Sequence, residues 1–256
     1  MTDLAEKLRV GDPERHAATL AAPENLRARL WPLYAFNLEI ARAPWMTSEP
    51  MIAEMRLQFW ADVLDEIAEG KPPRAHEVAS PLSEVWRECD LPVALGHEMV
   101  AARRWDIYRD PFADESAFEQ HLQATSGNLM WLCARALNAG DSAEPIIRDM
   151  GYAAGLANWF LAIPRLEDAG RIPLIDGRET AVAALAQDGL MRLKRARSNR
   201  ARVGADLLAV MLTGWQAGTI LNSAAKSPHL VREGGLQPSE FRRRGSLLLR
   251  ALSGRW

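Results

Sequence analysis

Apolar residues recur every three or four positions along almost the whole chain, and this spacing limits the possible folds more than any other feature. In residues 24–41, for example, Leu30, Leu33, Tyr34 and Ile40 follow helical spacing. β-Branched residues are scarce. No alternation of apolar and polar residues, the pattern of a half-buried strand, extends beyond about five positions. The sequence therefore predicts an all-α protein.

Proline, glycine and capping residues divide this pattern into separate helices. Asp12 followed by Pro13 is typical of an N-cap with proline in the first turn, and Pro23 and Pro50 open two further helices. The predicted helices lie near residues 24–41, 48–66, 79–89, 92–105, 114–138, 143–162, 178–196, 201–225 and 238–252; the second has its apolar face at Met51, Met55, Phe59, Val63 and Ile67. Since residues 227–235 are the one linker-like stretch, we expect a helical domain over 1–226, then a basic linker and an amphipathic helix over 227–256.

The chain is large enough to form its own core. It has 256 residues, of which 48% are hydrophobic and 25% charged, as in ordinary globular proteins. Cys89 and Cys133 lie far apart in apolar stretches, so we expect buried free thiols rather than a redox pair or zinc site. Residues 150–164 carry no charge, but a bilayer span needs about 20 residues. This stretch therefore predicts a buried core helix.

The first ten residues are charged and lack an apolar segment, so we expect no secretory signal and a cytoplasmic location. Charge is unevenly distributed, because residues 1–189 carry 18 basic and 30 acidic side chains and residues 190–256 carry 13 basic and 3 acidic ones. The basic region is expected to face an anionic partner or the acidic part of its own chain. Its basic run, 192–202, has no interleaved aromatic residues, and no nucleic-acid partner is expected.

The C-terminal segment is basic and leucine-rich. It predicts an amphipathic helix that could lie peripherally on an anionic membrane surface. The alternative is a helix whose leucines pack on the bundle. The residues assigned to membrane contact are Arg242, Arg243, Arg244, Leu248, Arg250 and Trp256.

Few side chains form a pattern that indicates chemistry. Asp62, Asp65 and Glu66 could share a helix face and bind Mg²⁺, although a solvated helix surface is the simpler interpretation. Glu167 and Asp168 end a long uncharged helix and could lie at a cavity mouth. No histidine pairs with another histidine or a cysteine at ligand spacing, and His121 is expected in the core. The common nucleotide-binding, hydrolase and metalloprotease motifs are absent.

Several segments resemble the squalene/phytoene synthase family in their order and spacing. They are residues 33–41 (LYAFNLEIA), 55–64 (MRLQFWADVL), 102–107 (ARRWDI), 124–127 (ATSG), 151–158 (GYAAGLAN) and 170–174 (GRIPL). The resemblance covers about residues 15–225. It implies a single isoprenoid-synthase-type helical bundle around a central cavity.

The resemblance also implies where catalytic acids would lie. Catalytic members of the family use two aspartate-rich motifs to hold Mg²⁺ against a prenyl diphosphate. Here the first motif falls on Leu38, where the family pattern has an arginine, and on Ala41, Arg42 and Trp45, where it has aspartates. The second falls on Ala162 and Leu166, or with a two-residue gap on Pro164 and Asp168, with Glu167 kept. We therefore expect a pseudoenzyme without catalytic residues, with Glu39, Glu167 and Asp168 as candidate remnants, and no cofactor.

The strings AFNLEIA and MRLQFW are most similar to a branch of the family that lacks the aspartate motifs and acts in building respiratory complex I. This resemblance implies protein partners in that complex and a peripheral location on the inner membrane. It also implies a lipid or isoprenoid ligand, with Asn158, Arg171 and Arg56 as candidate binding residues. The 27 arginines against four lysines fit a bacterial relative. The alternative is an active Mg²⁺-dependent, head-to-head prenyl diphosphate synthase. Its replacement ligands would be Glu39, Asp62, Asp65, Glu167 and Asp168.

Overall fold

The computed structural model describes residues 2–256, and within that range it contains helices and no strand. The α-helices are α1 (Thr2–Gly11), α2 (Pro13–Thr19), α3 (Glu24–Arg42), α4 (Pro50–Ala68), α5 (Ala79–Glu88), α6 (Val93–Ala102), α7 (Trp105–Tyr108), α8 (Glu115–Leu122), α9 (Asn128–Ala136), α10 (Glu144–Asp168), α11 (Glu179–Ser198), α12 (Leu208–Leu212), α13 (Ala217–Lys226), α14 (His229–Glu233) and α15 (Glu240–Ser253). Short 3₁₀ turns span Ala43–Trp45, Asp141–Ala143, Arg200–Arg202 and Ala205–Leu207, and a π-helical turn, Gln123–Gly127, joins α8 to α9. The predicted all-α fold is confirmed.

The longest helix, α10, forms the centre of the bundle. It packs against α9, α11, α13 and the π-helical turn, and the uncharged stretch 150–164 lies within it, as predicted. Glycine lets the π-helical turn approach, because a Cβ on Gly151 would lie 2.9 Å from the Cα of Gly127. Among residues 2–256, no helix combines the length and the apolar character that a membrane crossing requires.

The predicted end of α10 is wrong by about six residues. The helix continues through Pro164 to Asp168. A proline inside a helix costs about 3 kcal/mol, whereas burial of a large aliphatic side chain contributes about 1.5–3 kcal/mol. Ile163 and Leu166 are both buried by the continued helix, which offsets that cost.

Two other boundaries differ from the prediction. Residues 201–225 form two 3₁₀ turns and the helices α12 and α13 rather than one helix, and the turn before α13 brings Gly214 against Met150 of α10. The expected linker 227–235 contains α14, whose Val231 is buried in the core, as is Leu236. In both segments, the burial of apolar side chains determines the path of the chain more strongly than its intrinsic preference for helix does.

The apolar face predicted for α4 is buried over only part of its length. Val63 and Ile67 lie in the core and Phe59 packs against it, whereas Met51 and Met55 are exposed. The first turns of α4 extend beyond the neighbouring helices, so helical periodicity predicts the face but not where its burial begins. The predicted N-cap is confirmed, since the side chain of Asp12 accepts a hydrogen bond from the Arg15 N–H at 3.1 Å.

Candidate ligand cavity and C-terminal helix

A cavity of about 310 Å³ lies among α2, α3, α10 and the helices around the π-helical turn. A π-helical turn within a longer helix often marks a functional site, and here Thr125 and Ser126 of that turn form part of the wall. The apolar wall consists of Leu38, Ala41, Trp45, Leu122, Gly155, Trp159, Ala162 and Leu166.

The resemblance placed lost acids at five positions, and four of these line the cavity: Ala41, Trp45, Ala162 and Leu166. Arg42, the fifth, is exposed and lies near Gly11. The ungapped alignment of the second motif thus puts both of its positions in the wall. The cavity wall is apolar at the four lining positions where the catalytic pattern would have carboxylates.

Guanidinium groups supply most of the charge around the cavity. Arg15, Arg103 and Arg165 line it, and Arg171 lies beside it. Arg165 and Arg171 both contact the ring of Trp45, at 5.1 and 4.9 Å from its centroid. Trp45 therefore forms cation–π contacts with two guanidinium groups.

Two of the described lining residues, Asp12 and Asp106, carry a carboxylate. Asp12 forms an ion pair with Arg15 and caps α2. Burial raises the pKa of Asp106, against the opposing effect of Arg103 and Arg171. Arg171 also donates to the main-chain oxygen of Asp106. Both carboxylates are thus next to guanidinium groups, and one of them is stabilised in its neutral form by desolvation.

Arg103 is only partly satisfied by its surroundings. One of its terminal nitrogens donates to Asn37 Oδ1 at 3.3 Å, while its buried Nε has no hydrogen-bond partner in residues 2–256. Burial lowers the pKa of Arg103 below its usual range. A buried guanidinium with unused donor capacity beside a cavity favours an anion in that cavity.

The donor set does not fit Mg²⁺. Hard cations prefer several oxygen ligands, and in residues 2–256 no three or more histidine, cysteine, aspartate or glutamate side chains converge as a metal site would require. The two carboxylates that line the cavity already interact with guanidinium groups, Asp12 with Arg15 and Asp106 with Arg103 and Arg171. These positive charges would repel a metal cation.

The candidate remnants and replacement ligands lie away from the cavity lining. Glu39 forms an ion pair with Lys7 at 2.5 Å, Glu167 pairs with Arg232 at 3.6 Å, and Asp168 is exposed. Asp62, Asp65 and Glu66 lie on the outer surface of α4. Their partners there are Arg74 for Asp62 and Glu66, and His97 for Asp65. Asp62 and Glu66 share Arg74, whereas Asp65, Glu39 and Glu167 each pair with a different side chain. Among residues 2–256 these acids therefore form surface ion pairs and do not converge on one cation site.

The three candidate ligand-binding residues have different surroundings. Asn158 lines the cavity, and Arg171 is buried beside it. Arg56 is exposed and lines a separate outer groove, with its guanidinium 3.9 Å from the sulfur of Met46. The loop motif GRIPL correctly indicated that Arg171 lies near the cavity. The motif that contains Arg56 did not show that its side chain lies outside the cavity.

Sequence reasoning assigned no ligand-binding role to Arg15, Arg103 or Asp106. The segment 102–107 was noted for its resemblance to the family, and its i, i+3 spacing of arginine and aspartate was the available signal. Arg15 follows the predicted N-cap, Asp12, by three residues, and that position carries no signal of a ligand. Its position at the cavity depends on how α2 packs on α3.

An aromatic cluster separates this cavity from a larger, more open one of about 660 Å³. Trp105 stacks on Phe112 at 4.9 Å between centroids, and His121 contacts Trp159 at 5.1 Å. His121 is buried, as predicted, and burial lowers its pKa to about 3. Cys133 is also buried and Cys89 partly so, and neither forms a disulfide.

The C-terminal helix lies against the bundle. Arg243 pairs with Glu14 at 2.5 Å, and Arg250 is half-buried. Trp256, assigned from the sequence to membrane contact, is 3% exposed and packs in the core. That assignment is wrong for the conformation seen here, because the protein interior already covers this ring. Arg242, Arg244 and Leu248 remain exposed.

Comparison with known proteins agrees with the fold. The model of the squalene/phytoene synthase family matches residues 8–211. A dehydrosqualene synthase solved in complex with a ligand superposes with a TM-score of 0.83 at 15% identity, covering 98% of this chain and 95% of that one. This likeness confirms the predicted isoprenoid-synthase-type fold.

The matching relatives include proteins named NADH dehydrogenase (ubiquinone) complex I, assembly factor 6, and a protein named as a homolog of it. The bovine protein is 28% identical over 160 residues, covering 62% of this chain and 48% of its own length. The homologue from Drosophila melanogaster is 28% identical over 196 residues, covering 72% of this chain and 56% of its own length. The chain spans about half the length of these relatives. With the family model matched over most of its length, the chain belongs to the squalene/phytoene synthase family.

Proposed function

We propose that this protein is a non-catalytic member of its family that supports the assembly of respiratory complex I at the inner-membrane surface, in contact with protein components of that complex. The relatives named complex I assembly factor 6 support the role. We further propose that the cavity binds a lipid or isoprenoid with an anionic head group, and that the protein acts without a metal cofactor.

The observation that carries the proposal is that apolar residues and arginines line the cavity where the family pattern would have carboxylates. Ala41, Trp45, Ala162 and Leu166 stand where the resemblance places metal-binding carboxylates, and arginines surround them. Ionisation of a prenyl diphosphate in this family depends on Mg²⁺ held by such carboxylates. Guanidinium groups can bind an anionic group, but they cannot hold Mg²⁺.

A ligand with an anionic head and an apolar tail matches the chemistry of the walls. Arg15, Arg103 and Arg165 would contact the head group, since guanidinium groups bind phosphate oxygens with paired hydrogen bonds. Leu38, Leu122 and Trp159 offer apolar contact to the chain. The volume of about 310 Å³ is at the lower end of the range for small-molecule sites.

The test is deletion of the gene in its native host, followed by native-gel quantification of complex I and of succinate dehydrogenase. We expect assembled complex I to fall severalfold and succinate dehydrogenase to stay unchanged. Re-expression of the wild-type protein should restore complex I. Normal levels of complex I in the deletion strain would overturn the assembly role.

The enzymatic alternative is tested separately. Purified protein is incubated with farnesyl or geranylgeranyl diphosphate, with and without Mg²⁺, and released diphosphate is measured. We expect no Mg²⁺-dependent release from folded protein. Release that disappears in the double variant Glu167→Gln/Asp168→Asn would instead establish a rearranged metal site.

A further inference from the structure

The helix α15 (Glu240–Ser253) presents its apolar face to solvent. Phe241 is 88% exposed, Leu248 60%, Leu249 70% and Leu252 77%. Phe241, Leu248 and Leu252 are spaced so that they lie on one face of the helix, with Leu249 at its edge. We call these four residues the outer face.

The side of α15 that faces the bundle is partly basic. Arg243 pairs there with Glu14, Arg250 is half-buried, and Leu247 and Ala251 pack on the core. A helix held on the bundle by the hydrophobic effect alone would have the opposite orientation, with most of its leucines inside. Packing of α15 on the bundle therefore does not explain why the outer face is apolar.

Trp256 anchors the end of this segment. Its ring is buried, and the guanidinium carbon of Arg200 lies 5.2 Å from the ring centroid. Its main-chain oxygen accepts hydrogen bonds from Arg197 Nε at 3.1 Å and from Arg200 at 2.9 Å. Anchored in this way, α15 lies along the surface with its outer face directed away from the protein.

Charge indicates what covers the outer face. Arg242 and Arg244 flank it on its two sides and are exposed. Arg244 pairs with Glu240, the one acid in residues 240–256, which contain five arginines. A contiguous apolar face bordered by arginines matches the boundary between anionic head groups and acyl chains. A second copy of the same face would bring like charges together.

We propose that the outer face of α15 docks in the plane of an anionic lipid bilayer, with Phe241, Leu248, Leu249 and Leu252 below the head groups and Arg242 and Arg244 at their level. This inference rests on the proposed function only for its location, the inner membrane. It assigns the lipid contact to residues that the bundle leaves uncovered. Trp256 is instead buried in the protein and does not contact the lipid.

Vesicle co-sedimentation of the purified full chain tests the proposal. The vesicles are pure phosphatidylcholine, or phosphatidylcholine mixed with phosphatidylglycerol. The wild-type protein should bind the mixed vesicles at least tenfold more tightly, and added salt should weaken the binding. The triple variant Phe241→Ser/Leu248→Ser/Leu252→Ser should lose at least tenfold in affinity while retaining its melting temperature.

A matched control changes exposed apolar residues elsewhere. The double variant Met51→Ser/Met55→Ser removes two exposed side chains of α4 and should bind vesicles like the wild type. The double variant Arg242→Gln/Arg244→Gln should bind more weakly and with less dependence on salt. Equal binding of the wild type and the triple variant, or equal binding to both kinds of vesicle, would overturn the proposal.

Two further outcomes separate this proposal from its alternatives. Concentration-dependent dimerisation without vesicle binding, abolished in the triple variant, would overturn the proposal and assign the outer face to a second copy. Complementation of the deletion strain is an independent readout. A triple variant that loses vesicle binding yet restores complex I would support the lipid contact while showing that assembly does not require it.

Discussion

Trp45 illustrates how one side chain can change the chemistry of a cavity wall. The resemblance places a metal-binding acid at this position, whereas the indole ring holds Arg165 and Arg171 at about 5 Å. An acid in the same position would attract a cation to the cavity. The aromatic face instead keeps two guanidinium groups at its edge, so the wall favours anions.

His121 provides a prediction at the same scale. Burial lowers its pKa from an ordinary value of 6.5 to about 3. Between these values the unfolded chain binds the proton and the folded protein does not, so stability falls as the pH falls. His121→Phe keeps an aromatic ring but does not titrate. We expect the wild type to lose about 2–3 kcal/mol more unfolding free energy than this variant between pH 7 and pH 4.5.

Urea unfolding followed by circular dichroism at both pH values measures this difference. A third measurement at pH 8, where His121 is neutral in both the folded and the unfolded state, isolates the packing effect of the substitution. Parallel pH dependence of the two proteins would show that the ring of His121 is protonated in the folded state.

At the scale of elements, α10 meets the π-helical turn through glycine. A Cβ on Gly151 would lie 2.9 Å from the Cα of Gly127 and 3.1 Å from the main-chain oxygen of Ser126, both in backbone that cannot easily move. We expect Gly151→Ala to lower the unfolding free energy by about 1–3 kcal/mol. Thermal and urea unfolding measure the change.

The control for this variant is Gly245→Ala in α15. No atom lies within 4 Å of a Cβ at Gly245. Since alanine favours a helix over glycine by about 0.5–1 kcal/mol, Gly245→Ala should be neutral or slightly stabilising. If both variants were equally neutral, the close approach at Gly151 would not constrain the packing.

The docking of α15 gives a second prediction for elements. No residue within the helix is fully buried, and Leu247 and Ala251 are only partly buried against the core. Trp256 and the pair between Arg243 and Glu14 are therefore expected to contribute most of the attachment. Trp256→Ala should release α15 and accelerate tryptic cleavage at Arg242–Arg244 severalfold. Because the bundle stays folded during local opening, the loss of global stability should remain below the 3–5 kcal/mol typical of a central tryptophan.

Limited proteolysis followed by mass spectrometry identifies the cleavage sites, and Ser253→Ala serves as the matched control on an exposed side chain. Cleavage of the variant at the wild-type rate would mean that Trp256 does not hold the helix.

At the scale of the whole molecule, the uneven charge of the sequence is partly satisfied within the chain. Arg192 pairs with Glu119, Arg195 with Asp149, and Arg232 with Glu167. The C-terminal region thus docks on acids from the rest of the chain, which was one of the two interpretations of the charge pattern. Outside these pairs, Arg103 and Arg165 contribute positive charge at the cavity, and Arg242 contributes it beside the outer face.

This distribution predicts how the whole protein responds to anions and metals. Inorganic pyrophosphate in the presence of EDTA should raise the melting temperature by a few degrees at about tenfold its dissociation constant, because it binds only the folded protein. Mg²⁺ alone should produce no shift. Differential scanning fluorimetry measures both effects.

Arg103→Met should abolish the pyrophosphate shift, whereas Arg56→Met should retain it, because Arg56 lies in a separate outer groove. A shift that requires Mg²⁺, or one that both variants retain, would contradict the assignment of the anion to the cavity.

The sequence alone determined the helical class, most helix positions and the family, because these depend on periodicity, capping residues and motif order. It also identified Ala41, Trp45, Ala162 and Leu166 as the positions to inspect, and the structure places all four at the cavity. It could not place Arg15 and Arg103 there, because their meeting depends on contacts between distant helices.

The tertiary structure alone decided which faces are covered. Met51 and Met55 follow the same helical pattern as Val63 and Ile67, yet only the latter pair is buried. In α15, the leucines Leu248 and Leu252 face solvent while Arg250 turns inward and Trp256 is buried. Periodicity fixes the spacing of an apolar face on a helix, whereas its burial depends on whether another element reaches it.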